Sequence, residues 1–313
     1  MMQRYCATIG FFDGVHLGHR HLIRQVQQLA ADLQQKLLIV TFRHHPLQIV
    51  APQRMPKLLT SLQERIDLLR ETGVEQIVLL DFDAEMQRQT SKEFMQFLHG
   101  SQQVDTLVVG YNHRFGSDRD STFEDYARFG KEIGIRVFQA TPYYIYKEKV
   151  SSSVIRRLIA DGNMEQAAEM LGKPYSMTGT VVSGRQKGRE IGFPTANICP
   201  NHSEQLIPKS GAYAVKVEID GQNYAAMLNI GVRPTLHNGS DRSIEVHILH
   251  FDGDLYGKEV TVRFCYYLRE ERKFESLTAL QEQLQKDAIM VGYSTKKGIQ
   301  QVKAHGAEKQ RVY

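Results

Sequence analysis

Residues 5–19 read YCATIGFFDGVHLGH, and this stretch decides the fold of the first half of the chain. A short apolar run breaks at a turn rich in Gly and Asp, and helical periodicity follows over Gly18–Leu33. Gly10 and Gly14 let the backbone turn sharply and approach a ligand closely. The helix that follows offers free N–H groups and a positive dipole end, a natural seat for phosphate. His16 and His19, spaced as HxGH, supply donors to phosphoryl oxygens.

The same alternation continues outward. Strands are predicted at Tyr5–Phe11, Leu37–Phe42, Gln76–Leu80, Thr106–Val109 and Arg136–Gln139. Helices are predicted at Gly18–Leu33, Leu62–Glu71, Ser91–Leu98 and Thr122–Ile133, with two shorter ones beginning at Ser151 and Asn163. Strand and helix in turn imply an α/β fold with a parallel sheet. At Gly172-Lys173-Pro174 the pattern changes. Strands then follow one another at Tyr175–Ser183, Ala212–Ile219, Asn223–Gly231, Ser243–Phe251 and Glu259–Leu268, with one helix near Leu277–Ala288. This half reads as an antiparallel sheet or small β-barrel. The expected domains are residues 1–172 and 173–313.

Composition narrows the function classes. The 313 residues carry 39 Lys and Arg against 35 Asp and Glu, a net charge of +4 too small to argue for nucleic acid. No apolar run approaches the roughly 18–20 residues of a membrane span, and no signal peptide precedes the first turn, so a cytoplasmic protein without a membrane partner is expected. Cys6, Cys199 and Cys265 lack metal or redox spacing and read as structural thiols. The basic stretch from Lys296 to Arg311 reads as a solvated tail.

The densest motif is GTVVSGRQKGREIGFPTANI, residues 179–198. Gly184, Gly188 and Gly192 make a pliant loop whose amides could wrap a nucleotide, with Arg185, Lys187 and Arg189 adding positive charge. Pro194 fixes the backbone ahead of Thr195 and Asn197, which place a hydroxyl and an amide oxygen at i, i+2 on one strand face. Such oxygens suit Mg²⁺ carrying ATP phosphates. Glu245 and His247 likewise alternate along one strand and share a face.

GFFDGVHLGHRHLI resembles the signature of HxGH nucleotidyltransferases, and its Phe-Asp-Gly-Val-His-x-Gly-His form is closest to the bacterial bifunctional riboflavin kinase/FAD synthetases. The resemblance continues through Thr41-Phe42, His45-Pro46, Leu59-Thr60-Ser61, Gly110, Arg114-Phe115-Gly116 and the segment from Ser151 to Arg156. In the second half, Gly192-Phe193-Pro194-Thr195-Ala196-Asn197 looks like the riboflavin kinase signature. Asn229-Ile230-Gly231, Glu245-Val246-His247 and Leu268–Phe274 agree with it.

The resemblance implies two reactions: riboflavin and ATP give FMN and ADP, then FMN and ATP give FAD and pyrophosphate. It assigns His16 and His19 to the ATP phosphates, with Asp13, Gly14 and Gly18 shaping the loop and His45 beside the phosphates or metal. Ser152 and Arg156 would hold the triphosphate, and Asn112 and Arg114 would line the substrate site. Glu245 would be the base of the kinase, with Thr195 and Asn197 at Mg²⁺. Gly184, Gly188, Arg189, Gly192, Pro194, Asn229 and Arg269 would bind ATP or flavin. Five positions depart from the family pattern: Arg43 stands for an acidic residue, His44 for a proline, Asn112 for Asp, His113 for Phe and, in the second half, His250 for the Asp usual before Phe251. One alternative therefore keeps the kinase and reads the first half as degenerate or regulatory. A flavin sensor, or another HxGH transferase that leaves residues beyond Gly172 unexplained, are the remaining readings.

Overall fold

The computed structural model describes residues 3–118, 120–183, 188, 191–233 and 241–308, with backbone alone for 232–233, 241 and 293–308. The chain divides into two compact units, Met1–Val154 and Ile155–Tyr313.

In chain order the first unit holds β1 (Tyr5–Ile9), a 3-10 turn (Asp13–Val15), α1 (Leu17–Asp32), β2 (Lys36–Phe42), α2 (Leu47–Val50), α3 (Leu62–Arg70) and β3 (Gln76–Leu80). Then come α4 (Ala84–Arg88), α5 (Ser91–Gln102), β4 (Val104–Val109), α6 (Phe123–Ile133), β5 (Arg136–Gln139) and a small antiparallel pair, β6 (Tyr144–Ile145) and β7 (Glu148–Lys149). Five strands form one parallel sheet in the order β3-β2-β1-β4-β5. The strands are near-continuous apolar runs because helices cover both faces of such a sheet. Ala7, Ile9, Val40, Leu107 and Val109 anchor one side, and Cys6, Val26, Ala30 and Val108 the other. The order reverses beside β1, at the switch point where open α/β sheets bind ligands.

A helix, α7 (Ser152–Asp161), leads into α8 (Met164–Leu171) and the strands β8 (Ser176–Val182), β9 (Ala196–Pro200), β10 (Gly211–Ile219), β11 (Gln222–Arg233), β12 (Asp241–Ile248) and β13 (Glu259–Arg269), ending in α9 (Leu277–Glu308). These strands close a six-membered antiparallel barrel in the order β10-β11-β12-β9-β8-β13. Alternation sorts the faces. Ile244, Val246 and Ile248 are buried in the barrel, whereas Glu245 and His247 point outward. On the outer face, Ala214 and Met227 pack against Val291, Leu284 and Ala288 of α9.

Several elements differ from the sequence reading. α2, α4 and the β6–β7 pair were not expected, being too short for periodicity to register. β1 stops at Ile9 rather than Phe11, because the turn that carries left-handed Phe12 and the Asp13–Val15 3-10 segment begins there. α9 runs to Glu308, so the basic stretch expected as a tail is helical as far as that residue. Gly172 does end a helix, as the left-handed C-cap of α8 with φ 78°. The divide between the two compact units falls earlier, at Val154, because α8 buries Met164, Ala167 and Met170 and packs against β13.

Candidate active sites

The first site grows from the loop after β1. Asp13, 2% exposed, accepts the backbone N–H groups of Leu59 and Thr60 at 3.0 and 3.1 Å and the Thr60 hydroxyl at 3.1 Å. The Thr60 hydroxyl oxygen in turn accepts the Gly14 N–H at 3.1 Å. The loop is thus stitched to the N-terminus of α3, which Ser61 and Glu64 close with a reciprocal capping box. Strain is stored here: Phe12 and Val15 sit at φ 57° and 38°, conformations that non-glycine residues avoid.

His16 is the N-cap of α1. Its Nδ1 accepts the His19 N–H at 3.2 Å, so in the neutral ring the proton sits on Nε2, a donor for an incoming anion. The His16 and His19 rings stack with centroids 3.6 Å apart. Gly18 has no room for a side chain, since a Cβ would lie 2.8 Å from the Val150 carbonyl oxygen and 3.1 Å from the His16 ring. The Ser152 hydroxyl donates to the Asp13 carbonyl at 3.1 Å. The structure therefore brings Asp13, Gly14, His16, Gly18, His19 and Ser152 together. His45 joins through Phe11, with ring centroids 4.6 Å apart. Arg156 stands one turn beyond Ser152 on the same helical face.

Asn112 and Arg114 lie elsewhere on this edge of the sheet. With Tyr111, His113 and Tyr126 they line a polar cleft of about 650 Å³ at the end of β4. The Asn112 amide, oriented to satisfy its neighbours, accepts from the Lys149 ammonium at 2.6 Å. Burial pulls His113 down from 6.5 to about 4, so its imidazole is neutral at physiological pH.

Sequence reasoning missed Arg65. It is 1% exposed, lies 3.8 Å over the Phe11 ring and donates to the carbonyls of Phe42 and Arg43 at the end of β2. Its burial lowers its pKa to about 10, with Asp13 opposing the shift, so it stays charged. The sequence shows only one more Arg on an amphipathic helix. The fully buried face it occupies is a property of the fold.

The second site is a row of register partners across the barrel. Arg269 of β13 pairs with Ala212, Ala212 with Asn229, Asn229 with Glu245, and Glu245 with Asn197 of β9. Directly opposed residues of antiparallel strands share a face, so Asn229, Glu245 and Asn197 stand side by side on the outside of the barrel. Asn197 is 8% exposed. Thr195 falls just before β9, not within it, so the expected shared strand face holds for Asn197 alone; the physical reason is that ladder pairing to Glu245 and Val246 begins only at Ala196.

The loop ahead of β9 is pinned in two places. His247 Nδ1 meets the Pro194 carbonyl at 2.7 Å, with the His247 ring donating, and Phe193 packs edge-on to that ring. The Gly188 carbonyl accepts the Phe193 N–H at 2.9 Å, and a Cβ on Gly188 would clash with Phe193. Gly192 takes φ 77°, which favours glycine. Gly184 and Arg189, also expected in this loop, lie outside the described residues. Arg269 has a partner the sequence did not reveal: it binds the buried Asp287 of α9 at 2.8 and 3.0 Å.

Among the described residues no group of three or more His, Cys, Asp or Glu could hold a metal, and no helix is long and apolar enough to cross a membrane. The oxygens near Glu245 are amide and carboxylate, the hard donors that suit a divalent ion shared with nucleotide phosphates.

Comparison with known proteins addresses the whole chain. Residues 2–154 match the family model described as FAD synthetase, and residues 171–292 the one described as riboflavin kinase. The bifunctional riboflavin kinase/FMN adenylyltransferase of Listeria monocytogenes is 34% identical over 284 residues, 90% of this chain and 89% of its own. That of Haemophilus influenzae is 35% identical over 289 residues, 92% and 93% of the two chains. A crystal structure from Streptococcus pneumoniae, described as a macrolide-efflux protein, is similar with a TM-score of 0.84 at 32% identity, over 93% of this chain and 95% of that one.

Proposed function

Because the chain belongs to the bifunctional riboflavin kinase/FAD synthetase family, we propose that the barrel row centred on Glu245 and the loop centred on His16 and His19 are the seats of its two reactions. The chain phosphorylates riboflavin to FMN and adenylylates FMN to FAD. Both substrates and both ATP-derived products, ADP and pyrophosphate, follow from that chemistry.

At the barrel, Glu245 takes the proton of the riboflavin 5′-hydroxyl. The oxygen bonds to the γ-phosphorus of ATP as the bond to the ADP oxygen breaks. A carboxylate held by register between two amides is aimed at one point rather than swinging free, which is how positioning lowers a barrier. Asn197 and Thr195 would hold Mg²⁺ together with ATP oxygens, and the ion supplies charge neutralisation for the transferred phosphoryl group. Gly188, Gly192 and Pro194 shape the loop that presents Thr195, and the Arg269–Asp287 pair holds α9 against the same face.

In the first unit an FMN phosphate oxygen attacks the α-phosphorus of ATP and pyrophosphate leaves. His16, His19 and the free amides of α1 donate to the oxygens on which charge develops. His45, Ser152 and Arg156 would complete the triphosphate contacts. The cleft at Asn112 and Arg114 would take the flavin, with the exposed Tyr111 ring as its platform. The changes at His44, Asn112 and His113 leave this phosphate machinery untouched.

The observation that carries the proposal is the run Asn229–Glu245–Asn197 across three paired strands. Riboflavin, ATP and Mg²⁺ supplied to Glu245→Gln should give no FMN above about 1% of the wild-type rate. Wild-type turnover in that variant would refute the assignment.

A further inference from the structure

Two successive phenylalanines each support a histidine of the first site. Phe12 packs edge-on against His19 with ring centroids 5.2 Å apart, and Phe11 against His45 at 4.6 Å. Phe11 has a second partner. The Arg65 guanidinium of α3 stands 3.8 Å from its ring centroid, and Arg65 Nη2 donates to the Phe42 and Arg43 carbonyls at 2.5 and 3.3 Å. One side chain thus joins the loop after β1 to the end of β2, the neighbouring parallel strand from which the chain runs on to His45. His45 is held by its own backbone as well. Its Nδ1 accepts the Leu47 N–H at 3.1 Å, so in the neutral ring the proton sits on Nε2, as in His16.

Filling this space does not require a charge. Met or Leu would occupy it without desolvating a cation. Yet Arg65 is 1% exposed, and its Nε is buried with no hydrogen-bond partner among the described residues. What arginine brings, and lysine does not, is a flat face for the Phe11 ring and a planar fork of donors for carbonyls. The Asp13 carboxylate, in the same loop as Phe11, favours the charged form of Arg65. We propose that Arg65 is a positioning residue for adenylylation, clamping Phe11 and the end of β2 so that the His45 Nε2–H is preset toward the pyrophosphate oxygens on which charge develops. The inference rests on the assignment of His45 to the ATP phosphates and deepens it. A donor already in place needs no reorganisation at the moment of reaction. Loosening the clamp therefore acts on the chemical step rather than on ATP binding.

The test is a double-mutant cycle on FAD formation by the full chain supplied with FMN, ATP and Mg²⁺. Arg65→Lys, which keeps a cation and loses the flat face and fork, should lower kcat about tenfold, with KM for ATP within about twofold of wild type. His45→Ala should lower kcat about 10²-fold, and adding Arg65→Lys to it should lower kcat no further. Phe11→Leu removes the ring between the two while leaving Arg65 its carbonyls. It should reproduce the Arg65→Lys pattern, alone and with His45→Ala, and it carries the cycle by itself if Arg65→Lys does not fold. Effects that multiply with that of His45→Ala, or wild-type kcat in both Arg65→Lys and Phe11→Leu, overturn the positioning role while leaving the His45 assignment standing. Wild-type kcat in His45→Ala overturns that assignment and the positioning role with it.

Discussion

Glu245 of β12 and Asn197 of β9 are direct register partners on the outer face of the barrel. Asn229 holds the same relation to Glu245 from the other side. Glu245 therefore stands between two amide residues whose backbones cannot shift independently of it. Glu245→Gln keeps size and hydrogen bonding but cannot take a proton. It should lower FMN formation by about 10²–10⁴-fold with riboflavin binding retained, read by flavin fluorescence quenching beside steady-state rates.

The two histidines of the first site separate by role. His16 caps α1 through Nδ1, and asparagine is itself a good N-cap. His16→Asn should preserve thermal stability while lowering FAD formation, because the Nε2–H donor is gone. His19→Ala should lower FAD formation by about 10²–10³-fold. FMN formation should stay at wild-type level in both. A parallel fall in FMN formation would contradict two independent sites.

Gly18 tests the tightness of that loop. Its missing Cβ would meet the Val150 carbonyl oxygen at 2.8 Å and the His16 ring at 3.1 Å. Gly18→Ala, though favourable for helix propensity, should destabilise the first unit by about 1–3 kcal/mol and suppress adenylylation. A gain in melting temperature would show that the loop yields.

His113 gives the fold a pH dependence with a definite sign. Burial holds its pKa near 4 against an ordinary 6.5. Between those values the unfolded chain carries a proton there that the folded chain does not. The stabilisation is whole above about pH 6.5 and drains away as pH falls towards 4. His113→Phe should lose that component, so urea midpoints of variant and wild type should diverge in the variant's favour at pH 4.5 relative to pH 7.5. Identical pH profiles would contradict the assignment.

What the sequence made legible follows from what each signal encodes. HxGH and Gly-Phe-Pro-Thr-Ala-Asn are contiguous, so His16, His19 and Asn197 were readable from chemistry laid out along the chain. Arg65 and Asp287 were not. Each is placed by a contact made in tertiary packing: Arg65 against Phe11, Asp287 against Arg269. The strand carrying Asn197, β9, was legible in the i, i+2 spacing of Thr195 and Asn197, but its partner in the barrel was not. Its pairing with β12 is nevertheless what sets Asn197 beside Glu245.

The central claim is that one chain carries both reactions. The direct measurement is to incubate the full chain with riboflavin, ATP and Mg²⁺ and to resolve FMN, FAD, ADP and pyrophosphate over time by chromatography. The two-site account predicts FMN with stoichiometric ADP, followed by FAD with stoichiometric pyrophosphate, and FAD from FMN and ATP without a lag. Sustained FMN production with no FAD and no pyrophosphate would contradict it and leave a riboflavin kinase with a silent first unit.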